Sequence, residues 1–203
     1  MMRTAANHQD SPARRARIPK RAGTLLAALL LAVAGARDGA AQDAAVEEYE
    51  VKAAFVYNFA KFATWPPAAF TGPDAPLVLC VAGGNPFGPA LGALHHRPVG
   101  DRHLAVREIA DAAFAAEDAV ACHLLFIARA AVERWTAVAG ALRGRPVLTI
   151  ADSDGFTHRG GIINLYIADG RVRFEVNRDA LARSGVTLSS QVLRLARIVE
   201  DAP

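Results

Sequence analysis

Catalytic signatures, cysteine and long hydrophobic runs are all scarce in this chain. There is no G-x-S-x-G elbow, no dinucleotide-binding glycine pattern and no phosphate loop ending in Lys-Ser/Thr. Motif-based grounds for a serine hydrolase, a dehydrogenase or an NTPase are therefore absent. The carboxylates are scattered singly rather than paired, so general acid–base work has no obvious couple. Ser189 and Ser190 read as helix-start residues, not nucleophiles. We expect no catalytic residues, no cofactor and no metal.

The apolar stretch Ala22 to Ala34 has about 13 residues, short of the roughly 20 that a spanning helix needs. It follows a basic cluster (Arg14, Arg15, Arg17, Lys20, Arg21) and precedes the small residues Ala36 and Gly39 to Ala41. Basic, apolar, then small is the order of a secretory signal peptide. We expect residues 1–41 to be that leader and residues 42–203 to be one periplasmic domain. Cleavage after Ala36, a twin-arginine leader and an uncleaved anchor are the alternatives. No lipobox cysteine follows the run, which argues against a lipoprotein. Seven of the 23 basic residues and two of the 20 acidic ones precede Gln42, leaving 16 basic and 18 acidic beyond it. The apparent basicity belongs to the leader and gives no case for nucleic-acid binding.

The chain has two cysteines, Cys80 and Cys122. In an oxidising compartment an even count favours a disulfide; two separate buried thiols are the alternative. Closing a loop of about 43 residues stabilises by about 4 kcal/mol in the chain-entropy model.

The pattern predicts a long helix over Val46 to Trp65, with Val51, Ala54, Phe55, Phe59, Phe62 and Ala63 on its apolar face. Pro66 and Pro67 end it. Six strands are expected: 77–82, 104–109, 122–128, 146–150, 162–167 and 171–176, the last two joined at Asp169-Gly170. A short helix beginning at Pro86, an irregular or helical link over 112–119 and a helix over 130–142 fall between them. Asn177 and Ser189 are expected to cap two C-terminal helices, the last turning Val192, Leu195, Ala196 and Val199 inward. Strand–helix alternation implies parallel strands and right-handed crossovers. The expected fold is a single α/β domain with a mixed, mostly parallel sheet of about six strands, helices on both faces.

The ordered segments Lys52-Ala-Ala-Phe-Val-Tyr-Asn-Phe-Ala-Lys61 with Trp65-Pro66, Cys80-Val-Ala-Gly-Gly-Asn-Pro-Phe-Gly88, Cys122-His-Leu-Leu-Phe-Ile127, Val147 to Asp152, Gly160-Gly161, Arg173 to Asn177, and Leu188-Ser-Ser190 with Leu193 to Arg197 together resemble the YfiR family of periplasmic proteins. The resemblance covers nearly all of residues 42–203. It implies a periplasmic repressor that docks on the sensor domain of a membrane diguanylate cyclase and so restrains cyclic di-GMP and biofilm. It also implies an outer-membrane lipoprotein as antagonist, a homodimer, and pairing of Cys80 with Cys122. A second, C-terminal cysteine pair of the characterised repressor is missing here.

Several residues need weighing one by one. The loop Gly83 to Gly88 follows a strand and precedes a helix, where an anion could meet backbone N–H groups. Gly84, Asn85, Phe87 and Gly88 are therefore candidate ligand contacts for a small-molecule-binding alternative, against a plain tight turn. Tyr49, Tyr57, Phe59 and Trp65 cover more of the first helix than a single core stripe requires and are candidate partner contacts. If all of these aromatics are core, Lys52 and Lys61 mark the wet side. Asp152-Ser-Asp154-Gly155 resembles a calcium loop only faintly, lacks the remaining ligands, and reads as a turn. His95 and His96 are expected to point apart, and His103 gives no ready tetrahedral set. Gly160 and Gly161 are expected to permit close packing or unusual dihedrals.

Overall fold

The first helix presents two apolar stripes, and the sheet takes the one with the unexpected member. In the computed structural model, which describes residues 44–110 and 114–201, α1 covers residues 44–62. Its buried side is Lys52, Ala53, Val56, Phe59 and Ala60, while Val51 and Phe62 are exposed. The inward face expected from Val51, Ala54 and Phe62 is thus corrected by a rotation of roughly one residue, about 100°. The leader expected at residues 1–41 and the first part of the 112–119 link lie outside the described residues.

After α1 the chain forms β1 (Ala63–Thr64), β2 (Leu77–Ala82), α2 (Pro89–Gly92), β3 (Pro98–Val99) and β4 (Arg102–Ile109). Next come α3 (Ala116–Val120), β5 (Leu124–Ile127), α4 (Trp135–Ala139) and β6 (Leu148–Ala151). The hairpin β7 (Ile163–Ala168) and β8 (Arg171–Asn177) leads to α5 (Arg178–Ser184), β9 (Thr187–Leu188), α6 (Ser190–Leu193) and β10 (Arg197–Val199). One sheet has the order β10-β8-β7-β6-β5-β2-β4-β3. Strands β4, β2, β5, β6 and β7 run parallel, and β8 returns antiparallel to β7. All six expected strands are present. The sheet reaches eight through the short edge strands β3 and β10, too brief to leave a period-2 pattern, while β1 and β9 pair separately.

Strict alternation puts a core on each face. Leu77, Leu79, Val81, Leu124, Phe126, Leu148 and Ile150 face α1. Cys80, Ala82, Leu125, Ile127 and Ala151 face the other way, toward Trp135, Val138 and Phe156. Cys80 and Cys122 are joined in a disulfide across this second core, with Cα atoms 5.9 Å apart.

Three helices differ from expectation. The short helix begins at Pro89 rather than Pro86, because Asn85 Oδ1 accepts from the Phe87 N–H and holds residues 85–88 as a turn. The helix expected over 130–142 is a 3-10 turn, Arg129–Arg134, followed by α4. The C-terminal helix stops after one turn, and the chain re-enters the sheet as β10. Leu195, expected inward, is 78% exposed. Both caps form: the Ala180 N–H donates to Asn177 Oδ1 (2.8 Å) and the Val192 N–H to Ser189 Oγ (3.4 Å).

Candidate functional site

Along the chain the parallel strands take the spatial order 2-1-3-4-5, so successive crossovers diverge between β2 and β5. In such a sheet a ligand crevice lies beyond the carboxyl ends at that divergence. Here the same place is filled by the protein's own side chains. The turn after β2 begins with Gly83, at φ +92°, where a Cβ would meet the Ala131 Cβ at 2.7 Å; only glycine allows that approach. Asn85 braces the turn through Gly88 O (3.2 Å) and Glu108 Oε1 (3.3 Å). Gly84 is exposed, and Gly88 sits at φ +55° ahead of α2. Phe87 is buried edge-on between the rings of Tyr49, 5.7 Å away, and Phe126, 4.6 Å away. The four candidate ligand contacts therefore form a self-braced turn whose aromatic residue plugs the crevice.

Beside the plug lies a buried charge cluster. Lys52, on the core stripe of α1, is fully buried. Its Nζ lies 2.6 Å from Asp152 Oδ2 and 2.5 Å from Glu48 Oε1. The Tyr49 hydroxyl donates to the same Asp152 oxygen at 2.8 Å, and Arg129 Nε is 3.6 Å from it. Burial, then the hydrogen bond to Asp152, push the Tyr49 phenol well above its ordinary value and keep it a donor. Asp152 directly follows β6, so the cluster ties α1 to the strand ends. Two positive and two negative charges cancel, which suits a latch and offers no free nucleophile. Among the described residues, Asp152 Oδ1 and Ser153 Oγ are buried without a hydrogen-bond partner. Lys52 therefore does not mark a wet side, and the Asp152 turn aims its carboxylate inward at an ammonium. Sequence reasoning missed this pair; the signal was a lysine four residues before Val56 on the apolar stripe.

The candidate partner residues separate. Phe59 and Trp65 are 2% and 7% exposed, so the structure corrects them to core positions, Phe59 at the floor of the groove beside Phe55 and Phe62. Trp65 Nε1 donates to the His123 carbonyl at 3.2 Å. Tyr49 is half-buried in the latch. Tyr57 is half-buried, its hydroxyl donating to Pro98 O at 2.7 Å, with the Arg97 guanidinium over its ring. What α1 does present is Val46, Val51 and Phe62, with half-buried Phe55 between the last two. Phe55 and Phe62 share a groove with Phe174, Val192 and Leu195. Val51 continues the strip toward Ile167 and Val172 of the hairpin.

Two further polar sites follow from packing. His123 stacks on Phe70 with ring centres 4.5 Å apart; its Nδ1 accepts from the Val78 N–H (3.0 Å), and Nε2 faces Ala69 O (3.1 Å). Burial lowers its pKa, so the ring is held neutral. His95 and His96, expected to diverge, have ring centres 3.9 Å apart because His96 adopts φ +62°. His95 Nδ1 is already used as an acceptor for the Val106 N–H.

The YfiR/HmsC-like family model matches residues 49–197. A solved structure, a conserved domain protein from Vibrio cholerae, aligns at 13% identity and a TM-score of 0.38. That alignment covers 60% of this chain and 54% of the other, so the chain spans about half of that protein's length. With a family match running from α1 to the start of β10, the chain belongs to the YfiR/HmsC-like family.

Proposed function

We propose that this chain is a periplasmic regulatory binding protein that docks on the sensor domain of a membrane signalling enzyme, a diguanylate cyclase, and holds it inactive. Its family consists generally of non-enzymatic regulators. The observation that carries the docking face is the strip of exposed Val51, Phe62 and Leu195 around half-buried Phe55, on a domain whose strand-end crevice is closed by Phe87 and the Lys52–Asp152 latch. A large aliphatic residue such as Leu195 at 78% exposure costs hydration until it is covered. Export is supported by the disulfide, which belongs to oxidising compartments. Among the described residues no helix is long and apolar enough to cross a membrane.

An inhibitor of this kind works by differential affinity alone: a 100-fold preference for the inactive state is worth about 2.7 kcal/mol. A few apolar side chains buried on docking, at about 25 cal/mol per Å², are enough to supply that. The small-molecule alternative is less favoured, since Phe87, one of its four contacts, is buried against Tyr49 and Phe126. Deleting the gene tests the reading: cyclic di-GMP and biofilm should rise, and unchanged levels would remove the diguanylate cyclase as the partner.

A further inference from the structure

Outside the residues of the docking strip, three arginines line one cleft. Arg143 follows α4, Arg159 ends the turn before β7, and Arg183 lies in the last turn of α5. The cleft has a volume of about 80 Å³ and a partly polar lining that includes Thr149 and Ser184. At about 30 Å³ per water, this is room for a few waters or for a single tetrahedral or planar oxyanion group. The Arg143 and Arg159 guanidinium groups have no hydrogen-bond or ion-pair partner among the described residues.

The third arginine shows what the cleft edge holds. Arg183 Nη1 lies 2.5 Å from Asp201 Oδ2, and Asn177 Nδ2 donates to Asp201 Oδ1 at 2.8 Å. Asn177 is fully buried and fixed by a second bond from its amide to Thr157 O at 2.9 Å. The Asp201 N–H donates to Asp179 Oδ2 at 3.0 Å, the one acidic side chain that helps dock this tail residue. Hydrogen bonds from Arg183 and Asn177 hold the Asp201 carboxyl below its ordinary value, with the charges of Arg183 and Arg143 adding to the effect. Of the three arginines, Arg183 is the one paired with this carboxylate. A planar guanidinium fork suits carboxylate and phosphate equally, and here the C-terminal tail supplies the carboxylate from within the chain.

We propose that this cleft is an oxyanion site, taking a single phosphate or carboxylate group on Arg143 and Arg159, with Arg183 completing the set when Asp201 is displaced. The tail carboxylate is then a built-in competitor. Removing its charge should strengthen binding of an external anion, whereas a merely structural ion pair would give no such gain.

Calorimetric titration of the full chain at low ionic strength tests this, with inorganic phosphate and acetate as separate probes. At least one probe should bind saturably, and the one that binds identifies the head group. R143Q/R159Q should weaken binding by about tenfold or more, as expected for lost charged hydrogen bonds, with an unchanged melting temperature. D201N should tighten it about threefold to tenfold by freeing Arg183. Absence of saturable heat from both probes would overturn the proposal. So would equal affinity in R143Q/R159Q, or a D201N variant that binds no tighter than the parent.

Discussion

Lys52 illustrates what a single residue contributes here and how it escaped notice. Read from sequence, a lysine flanked by aromatics marks the solvent side of a helix, because an isolated buried ammonium is prohibitive. It sits on the core stripe only because Asp152, 100 positions away, meets it at 2.6 Å. Such a pairing has no local trace. Breaking one side of a buried pair leaves the other charge stranded, so Lys52→Met should cost about 3 kcal/mol in urea unfolding. The double variant K52M/D152L should recover most of that loss. Equal stability of K52M and the parent would show that the pair is solvated. His123 gives the second residue-scale expectation. Burial lowers its pKa from the usual value near 6.5. The unfolded chain therefore takes up a proton there before the folded one does. Its contribution to stability is complete above about pH 6.5 and is lost as pH falls through the lowered folded value. The urea midpoint should drop between pH 7 and 5, and the drop should be shallower in His123→Gln. Glu175 and Asp201 are also held low. Burial alone would raise Glu175, but Thr157, Arg197 and Asn164 outweigh it; Asp201 is held by Arg183 and Asn177. Their losses come only in more acidic solution.

At the scale of elements, strands were legible and helix faces were not. Continuous apolar runs such as Leu77 to Ala82 have only one way to be buried on both sides of a sheet. The hairpin at Asp169-Gly170 was equally plain. On α1, by contrast, two neighbouring stripes are both apolar, and hydrophobicity alone does not choose between them. The sheet takes the stripe with the small residues Ala53 and Ala60, leaving Val51 and Phe62 outside. The C-terminal segment went wrong for a related reason. Val192, Leu195, Ala196 and Val199 have helical spacing, yet the chain turns after Leu193 to pair Arg197–Val199 with β8. The pairing is secured at Glu175, which accepts from Arg197. The disulfide belongs to this scale as well, since it fastens β2 to the entrance of β5. Replacing both cysteines, C80A/C122A, removes a bridge between positions 42 apart. The variant should lose about 4 kcal/mol, or somewhat less, in unfolding under oxidising conditions. Matching melting temperatures for variant and parent would show the bridge to be dispensable.

For the whole molecule, the mostly parallel α/β architecture and the family were accessible because both rest on many weak features in sequence, whereas the order of the strands was not. Alternating strands and helices restrict the topology to few choices, and ordered short segments spread over the domain single out one family. The proposed docking surface was accessible only in outline. Sequence pointed to α1 through its aromatics, but Phe59 and Trp65 lie in the core. The exposed strip includes Leu195, which is far along the chain and is brought to α1 only by the fold. The proposed role asks for an uncovered apolar face on a cross-linked body, and the latch and the disulfide cross-link this one.

The most direct measurement is cyclic di-GMP in a deletion strain complemented with the parent chain or with F62E/L195E, two positions outside the buried core whose exchange should leave the melting temperature within a few degrees. The parent should return cyclic di-GMP to its basal level, while F62E/L195E, present at equal abundance, should leave it raised. Full restoration by the variant would contradict the assignment of this face to the partner.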